Sequence, residues 1–194
     1  MRSTATTGEV GSSWRSFYNI VGQSNLLISN IEKYAGPAVP ENIKQYAIAE
    51  ARFMRGLAYS YLVQNWGPVP IIVDNNTLLQ DTTLTRNTVE SVWEFVLRDI
   101  RFAAETLPAT PAQVGRLNKW SAEGMLAKMY LTRAGVGSGG TRRQTDLDSA
   151  KYFAKRVIDN SGKALMQNYE DLFMTKNNNN IETLFALQWK YDGP

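Results

Sequence analysis

A chain of 194 residues, 43% of them hydrophobic, is long enough to close one domain around a sizeable core. Its 21 basic and 18 acidic side chains leave a net charge of +3, and the one tight basic cluster, Arg142-Arg143, is too small to mark a nucleic-acid surface. The sequence has no Cys and no His, which excludes disulfides, thiolate and imidazole chemistry, Cys/His zinc sites, Ser-His-Asp triads and Cys-His dyads.

Residues 1–12 are polar and small and read as disordered or linker, with no apolar stretch of the kind a secretion signal needs. Residues 13–194 read as one helical region. The first helix is expected over Ser13–Tyr34, with Trp14, Phe17, Val21, Ile28 and Ile31 on its buried face at helical spacing. Asn25 lies near that face and is expected to be a buried amide bonded to neighbouring backbone. Gly36-Pro37 and Pro40 separate it from a second helix over Glu41–Trp66. There Phe53, Leu57 and Tyr61, with Met54, Ala58 and Leu62, form one broad apolar face. Gly67 can adopt a positive φ and Pro68 cannot continue a helix, so the stop is abrupt. Val69–Val73 then runs extended, and Pro70 makes it a poor central strand.

A third helix is expected over Thr88–Leu107, opened by an Asn87…Glu90 capping box. A fourth spans Lys119–Ala134, capped by Asn118 and stopped by Gly135. The loop 135–140 is glycine-rich, but no Gly-Lys-Ser/Thr follows it and no strand precedes it, so it is no phosphate cradle. A fifth helix over Asp146–Asn160 should bury Ala150, Phe153, Ala154, Val157 and Ile158. Glu182–Trp189 alternates like a short strand. Helices one and two, then three and four, are expected to pair, with Ala58, Ala104, Ala127 and Ala154 permitting close approach and the fifth left without a partner. The class is mainly α: tetratricopeptide-like hairpins without the regular 34-residue period, and a short β segment near the end.

Five blocks, in order, are similar to the SusD/RagB family of outer-membrane nutrient-binding lipoproteins. They are Trp14…Tyr18-Asn19-Ile20…Asn25-Leu26-Leu27, Ala49–Ile72, Arg86…Val92-Trp93-Glu94-Phe95-Val96…Leu107-Pro108, Gly115-Arg116-Leu117…Leu126-Ala127-Lys128-Met129-Tyr130-Leu131, and Ile181–Gln188. The resemblance implies the helical-repeat half of such a protein, truncated at both ends relative to the family, whose members are usually more than twice this length. It further implies non-catalytic capture of a nutrient, usually a glycan, at the outer-membrane surface. The partner implied is a SusC-like TonB-dependent transporter, and the lipid anchor would lie outside this chain.

A glycan site requires aromatic faces for sugar rings and nearby Arg, Asn or Asp for hydroxyls. Trp14 with Arg15 is the pair that meets this requirement, against the ordinary alternative that Trp14 packs in the core. Arg52 and Arg55, three apart in an apolar helix, are expected to make ion pairs between neighbouring helices. The acids Glu90, Glu94, Asp99 and Glu105 share one helix and read as a solvated surface rather than as opposed glycosidase carboxylates. Asn177–Asn180 lacks the carboxylates that calcium favours, and no other metal or cofactor set is present. A second reading is a helical-repeat scaffold that binds peptides or proteins in its groove.

Overall fold

The computed structural model describes residues 8–76, 83–137 and 139–188; the expected strand's last residue, Trp189, lies outside them. Among the described residues five α-helices appear in chain order: α1 (Gly8–Tyr34), α2 (Glu41–Trp66), α3 (Val89–Thr106), α4 (Lys119–Ala134) and α5 (Gln144–Asn160). Short 3-10 turns follow at Tyr169–Phe173 and Thr175–Asn177. The chain divides into two compact units, Met1–Thr106 and Leu107–Pro194. The class is mainly helical, as the apolar periodicity predicts.

In the first unit α2 is the central element, packed on α1 and on α3. Contacts run in antiparallel register on both sides: Trp14 with Trp66 and Phe17 with Tyr61, then Arg55 with Asp99 and Tyr59 with Phe95. The expected pairing of one with two is present, and α3 packs on α2 as well. A helix that touches two neighbours must bury two stripes, which explains why Ala49, Phe53, Ala58, Tyr59, Leu62 and Val63 are all buried. Tyr61 lies at the edge of the α1-facing stripe, stacked on Phe17, and stays 43% exposed, against expectation. The α2–α3 approach depends on Gly56, where a β-carbon would stand 2.8 Å from Ile100 Cγ1 and 3.2 Å from the Val96 carbonyl oxygen.

Helix boundaries follow local chemistry. Helix α1 starts at Gly8, so residues 8–12, expected as linker, are helical; Glu9 lies in the first turn, where a carboxylate meets the positive helix end. Gly67 has φ 71°, and its N–H donates to Val63 O at 3.0 Å, closing α2. The α3 cap is Thr88 rather than Asn87: Thr88 Oγ1 accepts from Ser91 N at 3.2 Å. Asn87 serves the segment after α2 instead, accepting from Ile71 N at 2.9 Å through Oδ1 and donating its own N–H to Val69 O at 2.9 Å.

In the second unit α4 and α5 form one antiparallel hairpin, with Tyr130 stacked on Phe153 at 5.9 Å. The fifth helix therefore does have a partner. Asn118 caps α4 through Ser121 N at 2.9 Å, as expected. Ala150 and Val157 are buried, but Ile158 is exposed because it lies one position beyond the contact stripe. Among the described residues no strand appears at 182–188, so the short β segment is not confirmed. Its backbone is engaged elsewhere: Asn180 Oδ1 accepts from Glu182 N and Thr183 N, and Leu184 O accepts from Ser121 Oγ.

Candidate functional site

Antiparallel packing brings the start of α1 to the end of α2 and gathers five rings there. The Trp14 ring lies 4.9 Å from Tyr18 and meets Trp66 edge-on at 5.3 Å. Phe17 stacks on Tyr61 at 5.3 Å and approaches Trp66 at 6.2 Å. Trp14 and Trp66 are half-buried, so each is braced by the cluster while part of its ring stays open to solvent. Gln64 and Asn65, the two residues before Trp66 on α2, are exposed. Their amide nitrogens donate to Ser60 O and Tyr61 O, which leaves their amide oxygens as acceptors toward solvent. Arg15 is exposed. One residue along a helix turns the side-chain direction by about 100°, so Arg15 and Trp14 leave α1 in different directions. The Arg15 guanidinium makes no cation–ring contact among the described residues. Braced, partly open rings suit the apolar face of a sugar.

Behind the rings a buried polar network fixes the helices and the segment after α2. Arg55 donates to both Asp99 oxygens, Nε to Oδ2 at 2.7 Å and Nη2 to Oδ1 at 3.0 Å, and through Nη1 to Asn25 Oδ1 at 2.7 Å. Asn25 Nδ2 donates to Ile72 O at 2.9 Å and to Asn75 Oδ1 at 3.1 Å, and Asn75 Nδ2 donates to Gly22 O at 2.9 Å. Tyr18 Oη donates to Pro70 O at 2.8 Å, and Tyr59 Oη accepts from Ile72 N at 2.7 Å. One network thus joins α1, α2, α3 and residues 70–75. Burial pushes the Tyr59 phenol up to about 12, opposed by the Ile72 amide, which favours the phenolate. Burial likewise raises Tyr18, with the neighbouring Tyr59 adding to the effect.

The expected Arg55 ion pair and buried Asn25 amide are both present. Asp99 was expected on a solvated surface and is instead fully buried. Its position, in phase with Val92, Val96 and Ala103 on α3, was the available signal. Arg52 is a weaker partner: its Nε is 3.7 Å from Asp99 Oδ1 and has no hydrogen bond, while its guanidinium sits 4.2 Å from the Phe102 ring.

The buried carboxylates are held by guanidinium groups. Asp99 is taken by Arg55, Glu123 by Arg156 at 2.7 and 3.0 Å, and Asp146 by Arg133, with Nε at 3.0 Å. A shallow groove of about 410 Å³ also runs between α1 and α2, lined by Ile20, Gln23, Leu27, Glu50, Ala51 and Met54.

Residues 2–131 match the SusD-like family described as "Starch-binding associating with outer membrane". A SusD-like protein of Bacteroides ovatus is 43% identical over 186 residues, covering 96% of this chain and 34% of the relative. The starch-binding protein SusD of Bacteroides thetaiotaomicron is 29% identical over 161 residues, covering 82% of this chain and 26% of that protein. A crystal structure solved with a xylogluco-oligosaccharide superposes with a TM-score of 0.88 at 42% identity, covering 97% of this chain and 37% of that one. The chain therefore spans about a third of the length of the first of these relatives. With the family model matched over residues 2–131 and the helical architecture shared with solved relatives, this chain belongs to the SusD-like family.

Proposed function

We propose that this chain is the helical portion of a non-catalytic glycan-capture protein at the outer-membrane surface, which hands its ligand to a SusC-like TonB-dependent transporter. The observation that carries the reading is the 42% identity, over nearly the whole chain, to a structure solved with a xylogluco-oligosaccharide. The aromatic end of the first hairpin supports it, with Trp14 as a stacking surface. The Arg-held carboxylates support capture without turnover.

The test is calorimetry with xylogluco-oligosaccharides on this chain and on the full-length Bacteroides ovatus relative, side by side, with product analysis of each mixture. The full-length relative should bind, this chain should bind more weakly, and neither should release shortened oligosaccharides. Trp14→Ala should abolish the residual binding of this chain. Hydrolysis products, or residual binding indifferent to Trp14→Ala, would overturn the reading. For the transporter, cells that carry a full-length SusD-like protein should lose uptake of the oligosaccharide when the adjacent TonB-dependent transporter is deleted, while surface binding persists.

A further inference from the structure

Trp14 can serve as a stacking surface only if its ring is held still, and one turn further along α1 its ring meets that of Tyr18. Long side chains on a helix lean toward its N-terminus, so residues four apart meet. Here the two centroids lie 4.9 Å apart, with the planes tilted by 48°. Tyr18 also meets Tyr59 edge-on at 6.3 Å, and Tyr59 meets Phe95 at 5.1 Å. Tyr59 and Phe95 are buried, whereas Trp14 and Trp66 are half-buried. A row of rings thus runs from the partly open end of the first hairpin into the core, and Tyr18 links its outer part to its inner part.

Tyr18 is anchored at its tip as well. Its Oη donates to Pro70 O at 2.8 Å, and burial raises its pKa, so the phenol stays protonated and remains a donor. The hydroxyl lies on the χ2 axis, so this bond fixes χ1, the torsion that sets where the ring sits. Pro70 is itself held from both sides. Val69 O accepts from Asn87 N at 2.9 Å, Ile71 N donates to Asn87 Oδ1 at 2.9 Å, and Ile72 N donates to Tyr59 Oη at 2.7 Å. The Pro70 carbonyl is therefore a fixed point against which the Tyr18 ring is registered.

We propose that Tyr18 is a positioning residue for the sugar-stacking surface: its bond to Pro70 O holds the Trp14 ring in place, and so couples the segment after α2 to ligand affinity. The effect on affinity rests on the glycan-capture reading, whereas the hold on the ring exists without a ligand.

The test compares Tyr18→Phe with Gly56→Ala in the 194-residue chain. Tyr18→Phe keeps the ring, and with it nearly the same ring current on Trp14, and removes only the bond to Pro70. Gly56→Ala strains the α3-facing side of α2 and is the control for a general loss of stability. Indole N–H resonances are recorded without ligand, that of Trp14 being identified by its loss in Trp14→Phe. Tyr18→Phe should shift or broaden the Trp14 resonance, and Gly56→Ala should leave it in place. Calorimetry with the xylogluco-oligosaccharide should show affinity lowered about two- to tenfold in Tyr18→Phe, because a freed ring must be ordered again on binding, and unchanged in Gly56→Ala. Amide dispersion like that of the parent chain verifies the fold of each variant. An unmoved Trp14 resonance in Tyr18→Phe would overturn the proposal whether or not the chain binds sugar. So would parental affinity in Tyr18→Phe, or an equal loss in Gly56→Ala, which would make Tyr18 a structural contact only. A moved resonance in a chain that binds no sugar would overturn the glycan-capture reading and leave the hold of Tyr18 on the ring standing.

Discussion

Removal of Asp99 is the sharpest perturbation of the first unit. Arg55 is 5% exposed and Asp99 fully buried, and three of the Arg55 hydrogen bonds end on Asp99 or Asn25. In Asp99→Leu the guanidinium keeps one acceptor, Asn25 Oδ1, and remains inside a low-dielectric core. An uncompensated buried charge of this kind costs about 3–5 kcal/mol. Arg52 adds to the loss, because its nearest anion, 3.7 Å away, disappears as well. Arg55→Met strands the carboxylate instead and should cost a similar amount. The double variant Arg55→Met/Asp99→Leu leaves neither charge exposed to the core and should recover most of the loss, giving a coupling of at least about 2 kcal/mol. Urea unfolding of the four proteins, followed by far-ultraviolet circular dichroism, measures all of these terms. Single variants within about 1 kcal/mol of the parent, or strictly additive losses, would refute the claim that this pair is a desolvated, mutually dependent unit.

Further consequences follow from burial and close approach. Leu57→Ala should cost about 2–4 kcal/mol by cavity formation, whereas Tyr61→Ala should cost only about 1 kcal/mol, since the ring is 43% exposed and its main contact is the Phe17 stack; equal losses in denaturant melts would contradict the two-stripe arrangement of α2. Gly56→Ala gains about 1 kcal/mol of helix propensity but overpacks against Ile100, so a net loss of roughly 1–2 kcal/mol is expected, and a stabilised variant would show that α2 and α3 can move apart freely. The raised Tyr59 pKa makes the neutral phenol the folded form: its contribution is complete below pH 10, the unfolded value, and disappears as pH rises toward about 12. Stability should therefore fall by roughly 2–3 kcal/mol across that interval, and Tyr59→Phe should flatten the fall; an unchanged slope in that variant would assign the loss to other groups.

The features legible in the sequence are those decided within a few residues. Gly67-Pro68 ends α2 because no other arrangement of those two residues is cheaper, and Asn118 caps α4 because its side chain reaches an amide three residues on. Helix number and approximate bounds follow from apolar spacing, and the order of five motif blocks pointed to the family. Tertiary packing decided the rest. That α3 lies against α2 depends on surfaces distant in sequence, and with it depends whether Asp99 faces water or Arg55. Tyr61 and Ile158 are apolar at helical spacing, yet Tyr61 is only half covered by the Phe17 stack at the edge of its stripe and Ile158 is exposed. Asn87 has the sequence of a cap, but Ile71 N competes for its oxygen and Thr88 takes the role. The alternation at 182–188 is a strand pattern, but a strand needs a neighbour's backbone, and here Ser121 and Asn180 occupy the groups that would have paired. The same holds for the candidate site: Trp14 could be singled out as a residue type, whereas its bracing by Trp66 arises only once distant segments fold together.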